Sequence, residues 1–158
     1  SAFRMLILLP LRKQELLLSG WQNVDSQWLF VPGERTKNHE ESALFISDFA
    51  FSVLRAPANE TGLLFTANNR TPLTLGTKIS VKITEESGVS DWVYHDFRRT
   101  FSTHMNERGH PFHIIEACLN HRDPTRRGVA GVYNRAEYRA AKQTVLQAWS
   151  DLVEAAIG

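Results

Sequence analysis

Two short runs rich in aromatic and β-branched residues, WLFVP (28–32) and ALFIS (43–47), flank the polar stretch GERTKNHEE (33–41). This pattern predicts two antiparallel strands with the polar stretch at the tip of their hairpin. Little else in the chain reads as sheet; GLLFT (62–66) is short enough for one more buried strand or extended piece. Most of the remainder carries helical spacing cut by proline and glycine, so the fold class expected is mainly α with a small antiparallel sheet.

The helical segments follow from local signals. FRMLILL stops near Pro10, and LRKQELLLSG ends at Gly20. Ser47 or Asp48 caps a helix through FAFSVLRA, with Pro57 as its terminator. Thr74 opens a helix with Leu75, Ile79 and Ile83 on one side and Lys78 and Lys82 opposite, closed by Gly88. HDFRRTFSTHMNERG (95–109) forms the next, and Pro111 opens PFHIIEACLN. A polar loop, HRDPTRRG, precedes a last helix from about Arg135 to Val153.

At 158 residues, the chain suits one domain with a substantial core. No apolar run is long enough to cross a bilayer, and the single cysteine, Cys118, precludes an internal disulfide or a CxxC metal site. A reducing, cytoplasmic setting is therefore expected. The abrupt start at Ser1 leads us to expect one domain, residues 1–158, excised from a longer protein. The formal net charge of +1 does not by itself announce nucleic acid. Between His121 and Lys142, however, Arg122, Arg126, Arg127, Arg135, Arg139 and Lys142 outnumber Asp123 and Glu137. Such a cluster reads equally as a phosphate-facing patch or a solvated helix face.

Several side chains have the chemistry for a site. His95 and Arg98 stand at i and i+3, so a helix would turn an imidazole and a guanidinium to one face. Arg12 precedes Glu15 by three residues, either as a surface ion pair or as a buried arginine braced by the carboxylate and aimed at an anion. Lys37 lies at the hairpin tip, idle in solvent or able to deliver an ammonium. His121 follows a helix end, where it either caps or binds phosphate, with Asn120 or Arg122 finishing the helix. A metal site is the competing reading, with His110 and His113 at i, i+3 and Glu116 and His121 nearby. The spacing lacks HExxH and any cysteine pair, so His104, His110 and His113 read better as helix-surface residues.

In order, the stretches PLRKQEL, ERTKN, HDFRRT, LNH and GVYNRAEY resemble the boxes of the tyrosine recombinase (phage integrase) family, specifically its C-terminal catalytic domain. The likeness is greatest to prophage and genomic-island integrases and extends from Arg12 to about Trp149. It implies a catalytic set of Arg12, Lys37, His95, Arg98, His121 and Tyr133. Arg12 and Arg98 would clamp a scissile phosphate, with His121 adding a hydrogen bond. Tyr133 would be the nucleophile, His95 its proton acceptor and Lys37 the acid for the leaving oxygen. No cofactor and no metal are implied. The implied partners are double-stranded DNA attachment sites, further protomers in a tetrameric synapse, N-terminal DNA-binding domains, and accessory DNA-bending or excision proteins.

Two alternatives share the fold: a catalytically silent DNA-binding module and a type IB topoisomerase. Among the tyrosines, Tyr133 lies between Gly131 and the start of the last helix, in an arginine-rich stretch flanked by Gly128. Tyr138 falls on the apolar side of that helix with Val145 and Trp149, and is expected to pack. Tyr94 lacks the flexible setting of a nucleophile. On this reading the basic residues around Tyr133 are phosphate-binding partners. The last helix docks either on its own domain or on a neighbouring protomer, since burial of Trp149 and Leu152 fits both.

Overall fold

A computed structural model describes residues 1–54, 62–67, 70–121 and 135–157, the last segment with side chains from 138 onward. Seven α-helices and five short strands are described. Helix α1 (Ala2–Leu8) gives way to extended Leu9 ahead of Pro10, because a residue before proline is pushed out of the α region. Helix α2 (Lys13–Leu17) begins after extended Arg12. The sheet order is β1 (Val24–Asp25), β2 (Trp28–Val31), β3 (Ser42–Phe45), antiparallel throughout. Leu29 pairs with Leu44 and Val31 with Ser42, so the predicted hairpin is present. Leu29, Val31 and Leu44 are fully buried on its inner face.

The hairpin tip carrying Lys37 is built on local hydrogen bonds. A turn of 3₁₀ helix, Gly33–Arg35, is followed by Thr36, whose Oγ1 donates within reach of both the Gly33 carbonyl (3.0 Å) and the Glu40 carbonyl (2.9 Å). Helix α3 (Asp48–Val53) is capped by Ser47, whose Oγ accepts from the Ala50 amide at 3.0 Å. It ends at Leu54, before the proline assigned as its terminator, which lies outside the described residues.

The expected strand at 62–66 resolves into a single bridge, Leu63 to Gly20, and a two-residue ladder of β4 (Thr66–Ala67) with β5 (Thr71–Pro72). Helix α4 (Thr77–Ser87) starts three residues later than expected, because Gly76 holds an extended backbone at its N-cap. Leu75, outside the helix, is nevertheless buried. Gly88 closes α4 in the left-handed region that glycine adopts without penalty.

Helix α5 (Tyr94–Glu107) buries Arg98, Phe101 and Met105. Helix α6 (Phe112–Cys118) buries Ile114, Ile115 and Cys118, whose thiol pKa is pushed up to about 12, chiefly by burial. The long helix α7 (Arg135–Ile157) packs on α6, β3, α1, α3 and α5 of its own chain. Trp149 meets Phe101 edge-to-face at 5.7 Å, and its indole N–H donates to the Ile7 carbonyl at 2.8 Å. Ser150 and Ser47 share a buried hydroxyl contact between α7 and α3. In this structure the last helix is docked in cis.

Candidate active site

Arg12 occupies the junction of α1 and α2. Its Nη1 donates to Glu15 Oε1 at 2.8 Å, while its backbone N–H donates to Glu15 Oε2 at 2.9 Å. Glu15 is buried and Arg12 keeps roughly a third of its surface, so the pair is a braced arginine and not a solvent-exposed ion pair. A carboxylate held from two directions fixes the guanidinium it accepts from.

Arg98 comes from the inner face of α5 and is only 3% exposed. Its Nη1 donates to the Pro10 carbonyl and its Nη2 to the Leu119 carbonyl, the latter at 2.6 Å. The same Nη2 lies 3.2 Å from His121 Nε2. Its Nε–H is buried without a partner among the described residues, a donor left over after the backbone contacts. Burial first, then the Arg12 guanidinium, lowers its pKa to about 10; Glu15 and Glu116 oppose the shift. At neutral pH it remains a cation.

His121 stands at the end of α6, where the chain closes a helix terminus of the Schellman type. The His121 amide donates to the Glu116 carbonyl (3.1 Å) and the Asn120 amide to the Ala117 carbonyl (3.3 Å), with Asn120 at φ 49°. Asn120 therefore finishes the helix. His121 Nδ1 meets Glu116 Oε2 at 2.8 Å, which favours a proton on Nδ1 and leaves Nε2 turned to Arg98. Glu116 was not recognised as this partner from the sequence; its position five residues before His121, within a helix that the histidine terminates, was the available signal.

Arg12, Lys37 and His121 line one open cleft of about 440 Å³, together with Asn38, His39 and Asn120. Arg98 joins them through its bond to His121. His95 lies at the exposed rim of α5. Partial desolvation, then Arg98, Arg99, Arg12 and His121 in that order, hold its pKa below the ordinary 6.5. The imidazole is thus a neutral proton acceptor at neutral pH. Tyr133 lies outside the described residues, as do Arg122, Arg126, Arg127 and the side chain of Arg135.

The described members of the basic cluster correct one expectation. Arg139 lies over the rings of Trp28 (5.4 Å) and Phe30 (5.2 Å), and Lys142 is buried with its ammonium donating to the Ala43 carbonyl. Both cations bind α7 to the sheet: Lys142, buried on the Ala43 carbonyl, is not a phosphate partner, and Arg139 lays its planar guanidinium on the two rings from an exposed position. Tyr138 packs against the core with its ring 5.9 Å from that of His113, as expected of an anchor. Tyr94 is enclosed by Trp92 and Phe97, with Lys13 above its ring at 4.8 Å. Among the described residues no three His, Cys, Asp or Glu side chains converge as metal ligands.

A helical domain with a three-stranded sheet and a cleft of this composition has the fold of the tyrosine recombinase catalytic domain. The chain belongs to the phage integrase family, whose model matches residues 1–139. It is 28% identical over 152 residues to prophage integrase IntA of Escherichia coli (strain K12), covering 92% of this chain and 36% of that protein. It is 29% identical over 160 residues to prophage integrase IntZ of the same strain, covering 98% of this chain and 39% of that one. The integrase of Shigella phage Sf6 is 26% identical over 160 residues, covering 97% and 41% respectively. The chain therefore spans about two fifths of the length of these relatives. No solved structure matches it.

Proposed function

We propose that this domain catalyses site-specific DNA recombination, the integration or excision of a prophage or genomic island, through a 3′-phosphotyrosyl intermediate. What carries the reading is the hydrogen bond from Arg98 to His121 beneath a cleft lined by Arg12, Lys37 and His121. Fixed cations around one concavity suit a phosphodiester whose non-bridging oxygens gain charge as it is attacked.

In the proposed reaction the Tyr133 phenol oxygen forms a bond to phosphorus and the bond from phosphorus to the 5′-oxygen breaks. The phenol proton passes to His95, and a proton from Lys37 goes to the leaving 5′-oxygen. Arg12 and Arg98 hold the non-bridging oxygens, and His121, its ring oriented by Glu116, adds a hydrogen bond. The ester conserves the energy of the broken bond, so attack by a second strand's 5′-hydroxyl reverses the step without nucleotide or metal. The partners proposed are duplex attachment sites, three further protomers in a synapse, and accessory DNA-bending or excision proteins. The setting proposed is the bacterial cytoplasm.

Strand cleavage by the full-length protein on attachment-site DNA tests this. Arg12→Ala and Arg98→Ala should each lower the cleavage rate by about two orders of magnitude or more, as loss of a charge-stabilising donor does. Supercoil relaxation without strand exchange would assign the chain to topoisomerase chemistry instead. Binding without any cleavage would leave a silent module.

A further inference from the structure

We infer that Asn38 and Asn120 form a clasp that positions Lys37 against His121 across the cleft. The two amides, 82 residues apart, bond reciprocally: Asn38 Nδ2 donates to Asn120 Oδ1 (3.1 Å) and to its carbonyl (3.2 Å), and Asn120 Nδ2 donates to Asn38 Oδ1 (3.2 Å). Asn120 Nδ2 also reaches the Glu40 carbonyl at 3.3 Å, and the Glu40 amide donates to Asn38 Oδ1 at 3.2 Å. The C-terminal half of the hairpin tip, at Asn38 and Glu40, is thereby tied to the terminus of α6. Each member adjoins a residue of the cleft, Lys37 before Asn38 and His121 after Asn120.

The residue chosen at 120 carries the argument. Its φ of 49° is a conformation that glycine adopts freely and other residues adopt under strain. Asparagine tolerates it, and here the side chain so retained is spent on the clasp. Lys37 itself is exposed on a long stem, so the backbone beneath it decides where its ammonium arrives. Asn38 and Asn120 are positioning residues, acting through Lys37 on protonation of the leaving 5′-oxygen.

The inference rests on Lys37 being that acid, and its test separates the two. Single-turnover cleavage by the full-length protein is measured on a nicked attachment-site duplex, with either oxygen or sulfur at the scissile 5′-bridging position. A thiolate leaves without a proton, so a defect confined to acid delivery disappears on the sulfur substrate. Asn120→Gly removes the amide in a backbone that suits glycine, and Asn38→Ala removes its partner. Both should slow cleavage of the oxygen substrate about 10- to 100-fold, the scale of a misplaced catalytic group. Both should return close to the unsubstituted rate with sulfur. Equal slowing on both substrates, or no slowing on either, overturns the clasp. Lys37→Ala is the reference: an undiminished rate with oxygen removes Lys37 as the acid, and the clasp's role with it.

Discussion

Around His95 the cations that the proposed reaction would set on a phosphate also keep the imidazole uncharged. Its lowered pKa means the proton-accepting form persists on the acid side of 6.5. The acid limb of the cleavage rate should therefore fall below pH 6.5, seen in single-turnover rates across about pH 5 to 8. Arg99 supplies part of that shift from an exposed position, where it also pairs with Asp96 at 3.2 Å. Arg99→Gln should move the acid limb upward toward 6.5 without abolishing cleavage; a limb that does not move would mean that His95 is not the titrating group. Glu15 belongs to the same scale. Glu15→Ala leaves the Arg12 guanidinium without its brace, and should cost about 1–3 kcal/mol in denaturant unfolding as well as cleavage rate. The arginines, His95 and Lys37 were legible because their residue types recur in ordered boxes. The pairing of Asn38 with Asn120 was not, since a hydrogen bond across 82 residues leaves no periodic trace in sequence; that of Glu116 with His121 spans five residues, which is not a helical period.

Among the elements, α7 shows what apolar spacing can and cannot say. Its existence and its anchor Tyr138 followed from the pattern, while the choice between docking in cis and in trans did not, because either buries Trp149 and Leu152. The structure has Trp149, Val145 and Leu146 in the domain's own core, with Lys142 bonded to β3. Trp149→Ala should cost about 3–5 kcal/mol in equilibrium unfolding, by loss of its burial and its contact with Phe101. A cost under about 1 kcal/mol would show that α7 is not held here in solution. The same contrast holds for the sheet. β2 and β3 were visible from their β-branched and aromatic content. β1, β4 and β5 are two residues each, too short for any alternation to register; β1 exists by pairing with β2, and β4 and β5 by pairing with each other. Charge alone left Lys142 and Arg139 open between a phosphate-facing patch and a solvated face, since composition does not say whether a long cationic side chain faces a solute or lies along a ring.

For the molecule as a whole, the near-neutral charge and the basic cleft among the described residues suit electrostatic binding at the cleft face. Affinity of residues 1–158 for an attachment-site duplex should fall as salt rises, with a log–log slope of about −0.9 for each phosphate contacted. Covalent attachment of DNA to Tyr133 is the decisive step of the proposed reaction, and trapping detects it. The full-length protein is incubated with a nicked attachment-site duplex whose cleaved fragment diffuses away, and the adduct is resolved by denaturing electrophoresis. A protein–DNA band is expected that persists in EDTA, vanishes in Tyr133→Phe and survives in Tyr138→Phe. An adduct still formed by Tyr133→Phe would contradict that step.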